Sequence, residues 1–387
     1  VGKALKQILK IKRRGVTKDM RKGRMTLGLV VVMALLIAFT GAAIGADPEP
    51  IKLRGQSSAS LGTYDYEHAL KTCQRIEQMT GGRVQIELLA PGTLVPAFEV
   101  LDAVNRGVLD LGASWEGYWV GKNTAFTLFA SATGGPFGMD NLDYWGWMFF
   151  GGGMELWHEL ISDTGYKNVV SFMTKGEFNE PLGWFPKPIT GYEDLKGYKM
   201  RVAGMAADVF KEAGVSVVNV PAGEILPLLD RGTIDATEFS DPHSDLLLGI
   251  PDILKYYHAP GVHQPTGIMS LHINKRVWDK LPQDVQNIIE LVCNEMTMKN
   301  TVEELLWGKK ALDKIQDEFG VEVVKVPNDI VMELLKSWDK VAAAEAAKNP
   351  WFKKIYDSQK AWASEMVPFR NKFFIDYSVI HDHYWKD

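Results

Sequence analysis

Two side chains stand where a small charged molecule could be gripped. Arg201 closes the short run Lys199-Met200-Arg201, and Gly204 soon after permits a turn. A guanidinium at a strand end offers a planar fork that matches a carboxylate through two parallel hydrogen bonds. On a solvated strand end the same residue would be an ordinary surface arginine. Glu238 follows the run Ile234-Asp235-Ala236-Thr237. It is either a solvated loop residue or a carboxylate placed to hold a cation inside a cleft. Two further groups carry metal-type donors at short spacing, Asp241-Pro242-His243-Ser244-Asp245 and His381-Asp382-His383. The first reads as a helix start capped by Asp or Ser, the second as a solvated end. Gly151-Gly152-Gly153 lies between an aromatic cluster and a helical run, so it reads as a chain break or relief of crowding rather than a phosphate loop. No GxSxG elbow, HExxH, P-loop or dinucleotide glycine fingerprint occurs, so the machinery of an enzyme is not visible. Cys73 and Cys293 show no CxxC or Cys/His metal spacing and are expected as buried free thiols in helices.

The elements that must position Arg201 and Glu238 follow from periodicity. Ile51-Lys52-Leu53 opens a strand, and Tyr66, Ala69, Leu70, Cys73, Ile76 and Met79 fall at helical spacing before Gly81-Gly82. Val84, Ile86 and Leu88 alternate as a strand. Further strands are expected at 168–173, 182–185, 199–202, 215–220 and 268–273. Beyond Leu281-Pro282 the chain reads as almost wholly helical, either bracing the rest or forming a dimer surface. Alternating short apolar runs and helices predict an α/β fold. An internal echo sharpens this. Glu99-Val100-Leu101-Asp102-Ala103-Val104-Asn105-Arg106-Gly107-Val108-Leu109-Asp110 returns 125 residues later as Glu224-Ile225-Leu226-Pro227-Leu228-Leu229-Asp230-Arg231-Gly232-Thr233-Ile234-Asp235. Each copy is a helix stopped by glycine and turned into a strand. The echo predicts two related lobes whose strand exits, Ala113-Ser114-Trp115 and Glu238-Phe239-Ser240, converge on one cleft, because ligands of open α/β sheets lie beyond the carboxyl ends of the strands. The expected division is 47–172 for the first lobe, 173–262 for the second, 263–281 for crossover strands returning toward the first lobe, and 282–387 for the helical region.

The chain has 387 residues, 46% of them apolar and 24% charged, enough for two domains with substantial cores. Residues 1–46 hold a basic stretch, the apolar run Leu27 to Ile44 and a small-residue zone. This is the layout of a secretory leader, with cleavage expected near residues 43–46; a retained membrane anchor is the other reading of the same run. The compact leader beginning at Met20 suggests an over-long start. The leader holds ten Lys/Arg and one Asp, which leaves 33 basic against 47 acidic residues, a net charge of −14. So acidic a body excludes nucleic acid as a partner, and capture of an anion must come from a locally placed arginine.

From Ile51 onward the chain resembles the extracytoplasmic solute receptors of tripartite ATP-independent periplasmic (TRAP) transporters, the DctP-like family. The matching pieces are Glu99…Leu101-Asp102-Ala103-Val104…Gly107…Asp110, Pro136-Phe137-Gly138, Gly183-Trp184-Phe185, Asp194-Leu195-Lys196-Gly197…Lys199-Met200-Arg201 and Glu224-Ile225…Leu228-Leu229…Gly232-Thr233-Ile234-Asp235-Ala236…Glu238. The resemblance implies a two-lobed periplasmic-binding-protein fold that closes over its ligand, no catalysis, periplasmic location and delivery to a membrane permease. Within the family the chain looks like the branch that binds 2-oxo or 2-hydroxy monocarboxylates, such as pyruvate or lactate, with Na⁺ or Ca²⁺. Arg201 would then pair with the ligand carboxylate. Glu238 would ligate the cation through its side chain and Phe239 through its carbonyl, with Gln264 and Glu180 exchanging amide and acid relative to relatives. Asn179 is the alternative to Glu180, and Trp115, Tyr118 and Trp184 are expected beside the ligand. A dicarboxylate or sugar-acid receptor without metal, and a periplasmic sensory module, are the competing functions.

Overall fold

The computed structural model describes residues 49–130 and 132–386; the expected leader, 1–46, lies outside the described residues. From Ile51 the chain is one compact unit built on two mixed sheets. The first orders its strands β2 (Val84–Leu89), β1 (Ile51–Ser57), β3 (Leu111–Trp115), β10 (Ile268–Asn274), β4 (Val169–Gly176). The second runs β11 (Glu322–Lys325), β9 (Tyr256–Ala259), β5 (Gly183–Phe185), β8 (Ala236–Thr237), β6 (Lys199–Arg201), β7 (Ser216–Val218). In the first sheet β1 pairs parallel with β2 and β3, and β10 lies antiparallel to β3 and β4. The second repeats the pattern: β6 pairs parallel with β7 and β8, and β5 lies antiparallel to β8 and β9.

The sequence echo is thus a topological one, and its matched residues do matched work. Helices Val100–Arg106 and Ile225–Asp230 each follow a short 3₁₀ turn opened by a proline, Pro96 or Pro221. Each then turns through a glycine in the left-handed region, Gly107 at φ 75° and Gly232 at φ 64°. Asp110 accepts the backbone N–H of Arg54 at 2.8 Å, and Asp235 accepts that of Lys199 at 3.1 Å. Each carboxylate therefore ties the start of its own strand segment to the central parallel strand beside it.

The chain crosses between the sheets three times, from β4 to β5, from β9 back to β10, and from β10 by way of the long helix to β11; the first two crossings are short extended segments. β4 continues to Gly176, past the expected boundary at 172, because its last residues still pair with β10. The two crossing segments are themselves bonded: Glu180 N–H donates to the Gln264 carbonyl at 3.1 Å, Gly261 N–H to the Glu180 carbonyl at 3.0 Å, and Glu177 N–H to the Gly267 carbonyl at 3.0 Å. The long helix Gln283–Phe319 packs on β4 and on helix Tyr64–Met79 at one end, and against helix Pro242–Leu247 further along. The C-terminal region is helical as expected, except that β11 joins the second sheet beside β9.

Three local expectations are settled here. Cys73 and Cys293 are buried, free, and share the first lobe's core with Ile76, Val84 and Ile289. Asp241 caps the helix Pro242–Leu247 by accepting the N–H groups of His243 and Ser244. Gly151 ends one helix where a Cβ would meet Trp147 and Trp362 at 2.8 Å each, Gly153 is crowded by Met148, and Gly152 between them turns the chain at φ 86°, so crowding and a chain break together explain the glycine run. No helix among the described residues is long and apolar enough to cross a membrane.

Candidate functional site

Arg201 ends β6, the strand flanked by β7 and β8, so its backbone is held on both edges. Its side chain is buried and bonded to the strand ends on either side: Nε donates to the Val220 carbonyl at 3.1 Å, and Nη1 to the Glu238 carbonyl at 3.1 Å and the Glu238 carboxylate at 3.0 Å. Nη2 is left without a protein acceptor among these bonds, and Arg201 lines a cleft. That cleft takes walls from both lobes: Ser58, Asp65, Trp115 and Tyr118 on one side, Ala203, Phe239 and Ser240 on the other, with Glu177 and Gln264 from the crossing segments. As folded here it leaves ≈ 30 Å³ of free room, space for about two waters. Trp115 meets Tyr118 edge-on at 5.3 Å, and the Phe239 ring sits 5.7 Å from the Arg201 guanidinium.

Behind Arg201 lies a second layer of polar groups. Glu238 also accepts the Ala203 N–H at 2.5 Å. Glu180, Glu238 and His263 are all buried, and one potential ligand atom from each lies within 4.8 Å of the other two. Both oxygens of Glu180 and both ring nitrogens of His263 lack hydrogen-bond partners. Burial, then the neighbouring Glu238, pushes the Glu180 carboxyl well above the usual range. Burial works in the same direction on Glu238, but Arg201 outweighs it and holds that carboxyl below its usual value. Burial depresses His263 to about 4. The layer therefore packs two carboxyl groups against an imidazole away from solvent, a donor set of the kind that can take a cation.

The first-lobe side of the cleft is acidic. Lys175, fully buried at the end of β4, bonds Asp65 at 2.8 Å and Glu304 at 2.7 Å, with Glu177 at 3.6 Å. Asp65 also accepts the Ser240 hydroxyl at 3.4 Å, a contact from one lobe to the other. No local pattern announces this cluster, whose members come from a helix start, a strand, a crossing segment and the long helix. His263 was likewise passed over, although it adjoins Gln264.

The structure gathers Arg201, Phe239, Gln264, Trp115 and Tyr118 at the cleft, with Glu238 and Glu180 in the layer behind. It separates two expected residues. Asn179 is exposed and lines a different cavity of ≈ 320 Å³ against the long helix, which Glu180 borders as well. Trp184 is fully buried in the second lobe's core, stacked on Tyr257 at 4.0 Å, with its indole N–H donated to Asp245 at 2.7 Å. That bond satisfies its one polar atom, and the indole does not line the cleft.

Residues 56–349 match the family model DctP, bacterial extracellular solute-binding protein, family 7. The chain belongs to this family. The receptor is 33% identical over 309 residues to the monocarboxylate 2-oxoacid-binding periplasmic protein of Nostoc sp., covering 79% of this chain and 82% of that protein. A TRAP transporter solute-binding protein from Bordetella bronchiseptica, a dimer with calcium and picolinate bound at one site, superposes with a TM-score of 0.79. It shares 27% identity over 86% of the receptor and 97% of that chain. A TRAP periplasmic solute-binding protein from Pseudoalteromonas atlantica with sodium and pyruvate bound gives 0.77 at 27% identity, over 86% and 99%. The fold is the two-lobed one expected, and the receptor is a TRAP-type solute-binding protein of a family that takes small organic acids.

Proposed function

We propose that this receptor captures a 2-oxo or 2-hydroxy monocarboxylate together with a cation outside the cytoplasm and passes it, chemically unchanged, to a TRAP membrane permease. The observation that carries the reading is the pairing of Arg201, which lines the cleft, with Glu238 directly behind it at the adjoining strand exit. Arg201 takes the ligand carboxylate through the guanidinium edge that the protein leaves open. Glu238, the Phe239 carbonyl and Gln264 supply oxygen donors for Na⁺ or Ca²⁺, and the cation's chemistry is to bridge carboxylate and keto or hydroxyl oxygen. Trp115 and Tyr118 close over the apolar end. The similar Nostoc and Pseudoalteromonas proteins, with 2-oxoacid and pyruvate respectively, support this choice. Asp65 and Glu177 line the same cleft, and carboxylates there repel a second ligand carboxylate, which favours a monocarboxylate over a dicarboxylate. Binding shifts the population toward the closed lobes that the permease recognises. The exposed apolar C-terminal segment from Phe369 to Trp385 is read as a homodimer surface.

Calorimetric titration with pyruvate, lactate, a longer 2-oxo acid and succinate, before and after chelator treatment, tests the reading. Tight binding of a 2-oxo or 2-hydroxy acid that is lost with the cation supports it. Succinate binding that ignores the chelator overturns the cation-bridged site and leaves an Arg201 receptor for dicarboxylates.

A further inference from the structure

We infer that His263 is itself a cation ligand, so that Glu180, Glu238 and His263 make a protein-built site that holds a first-row divalent transition ion before any acid arrives. The inference rests on the cation-assisted reading of the cleft, with which it shares Glu238. His263 sits directly before Gln264 on the second crossing segment, and its backbone carbonyl accepts the Thr133 hydroxyl at 3.3 Å. Its ring is fully buried, edge-on to Phe210 at 5.5 Å, with neither nitrogen bonded. Buried imidazoles ordinarily spend at least one nitrogen on a hydrogen bond, because an unpaired buried polar atom costs about 1–3 kcal/mol. Glu180 Oε1 lies 3.7 Å from Nε2, too far for a hydrogen bond. Glu180 shows the same deficit on both of its oxygens.

A cation among the three answers all of these unmet groups together. The 4.8 Å limit on their separations is the span of opposite ligands around an ion with ~2.4 Å bonds, and side-chain rotation alone brings them to the ~2.1 Å bonds of a smaller ion. Charge agrees as well: two carboxylates against Arg201 leave one negative charge for the ion to neutralise. The imidazole sets the choice of ion. Na⁺ and Ca²⁺ take oxygen donors, whereas a nitrogen beside two carboxylates suits Zn²⁺, Co²⁺ or Mn²⁺. Gln264 and the incoming acid would fill remaining positions.

Tag-free protein stripped with chelator is dialysed against Co²⁺, Zn²⁺, Ca²⁺ or Na⁺ without organic acid, and bound metal is counted by mass spectrometry. One Co²⁺ or Zn²⁺ per chain is expected, held at least about tenfold more tightly than Ca²⁺, with a visible Co²⁺ absorption band. His263→Gln and the isosteric Glu180→Gln each lower that affinity at least about tenfold and shift the band; the second keeps the test valid if the first fails to fold. His381→Gln/His383→Gln, on the exposed tail, leaves the tight site intact. Equal affinity for Ca²⁺, retention of the band in His263→Gln, or loss of the tight site in the tail variant each overturns the inference. Pyruvate titration in Na⁺ or Ca²⁺ is read separately. Acid binding there together with no tight Co²⁺ or Zn²⁺ site sinks this inference and leaves the receptor function standing, while Co²⁺ binding without any acid binding does the reverse.

Discussion

Arg201 Nη1 donates simultaneously to the backbone carbonyl and the carboxylate of Glu238, at 3.1 and 3.0 Å, across two adjacent parallel strands. The guanidinium is therefore locked in place by strand geometry before ligand arrives, with one edge still free to bind.

Arg201→Lys keeps the charge and loses the fork. The lost charge-assisted hydrogen bonding is worth about 1.5–3 kcal/mol, so acid affinity is expected to fall about 10- to 100-fold. Isothermal titration with the best-binding acid reads this directly, and unchanged affinity would remove Arg201 from the site.

Glu177 makes the receptor's stability depend on pH. Burial, against the pull of Lys175, holds its carboxyl at about 7, above the ordinary 4.5. The folded chain keeps a proton that the unfolded chain releases. The stabilising contribution is therefore complete below pH 4.5 and is lost as pH rises through 7. Glu177→Gln does not titrate, so its stability relative to the parent is expected to improve between pH 5 and pH 8, by on the order of 1–3 kcal/mol. Urea unfolding at both pH values measures the difference; a gap that stays flat contradicts it.

Trp184→Phe separates packing from binding. The variant loses the indole bond to Asp245 and some buried area, and is expected to be less stable by about 1–3 kcal/mol. Acid affinity of the folded variant should not change. A selective loss of affinity with the melting temperature intact would return Trp184 to the cleft.

The C-terminal helix Tyr377–Trp385 buries none of its residues, while Phe373, Tyr377, Val379, Tyr384 and Trp385 are exposed. Apolar surface left so open is characteristic of an interface. Light scattering is expected to give a dimer for the intact protein and a monomer after deletion of residues 374–387. A monomer in both cases would refute the dimer surface.

The legible part of this molecule was the part written in local pattern. The Glu99 and Glu224 segments announced a repeated helix, glycine turn and strand, and the strand exits of that repeat point to the cleft. Arg201 and Glu238 were visible because each closes a short strand, where the backbone alone fixes the direction of the side chain. Trp184 was misplaced because β5 has three residues, too few for a period of two to tell which face is which, and both faces are buried. The Lys175 cluster was invisible for a different reason. Its bonds join residues 110 and 129 apart in sequence, and no periodicity links a helix start, a strand end and the middle of a long helix. His263 was hidden by its neighbour, since Gln264 already accounted for that stretch.

Glu180 and Gln264 lie on the two segments that cross between the sheets, and those segments are bonded to each other through these same two residues. Points near an axle barely travel when the wheel turns. A hinge about these crossings would keep the donors held there together, while side chains carried by the lobes themselves moved relative to one another. The open receptor would then still carry a half-built socket for the ion and the oxygen-rich end of its acid, so that encounter begins at the pivot and closure only finishes what the pivot has started.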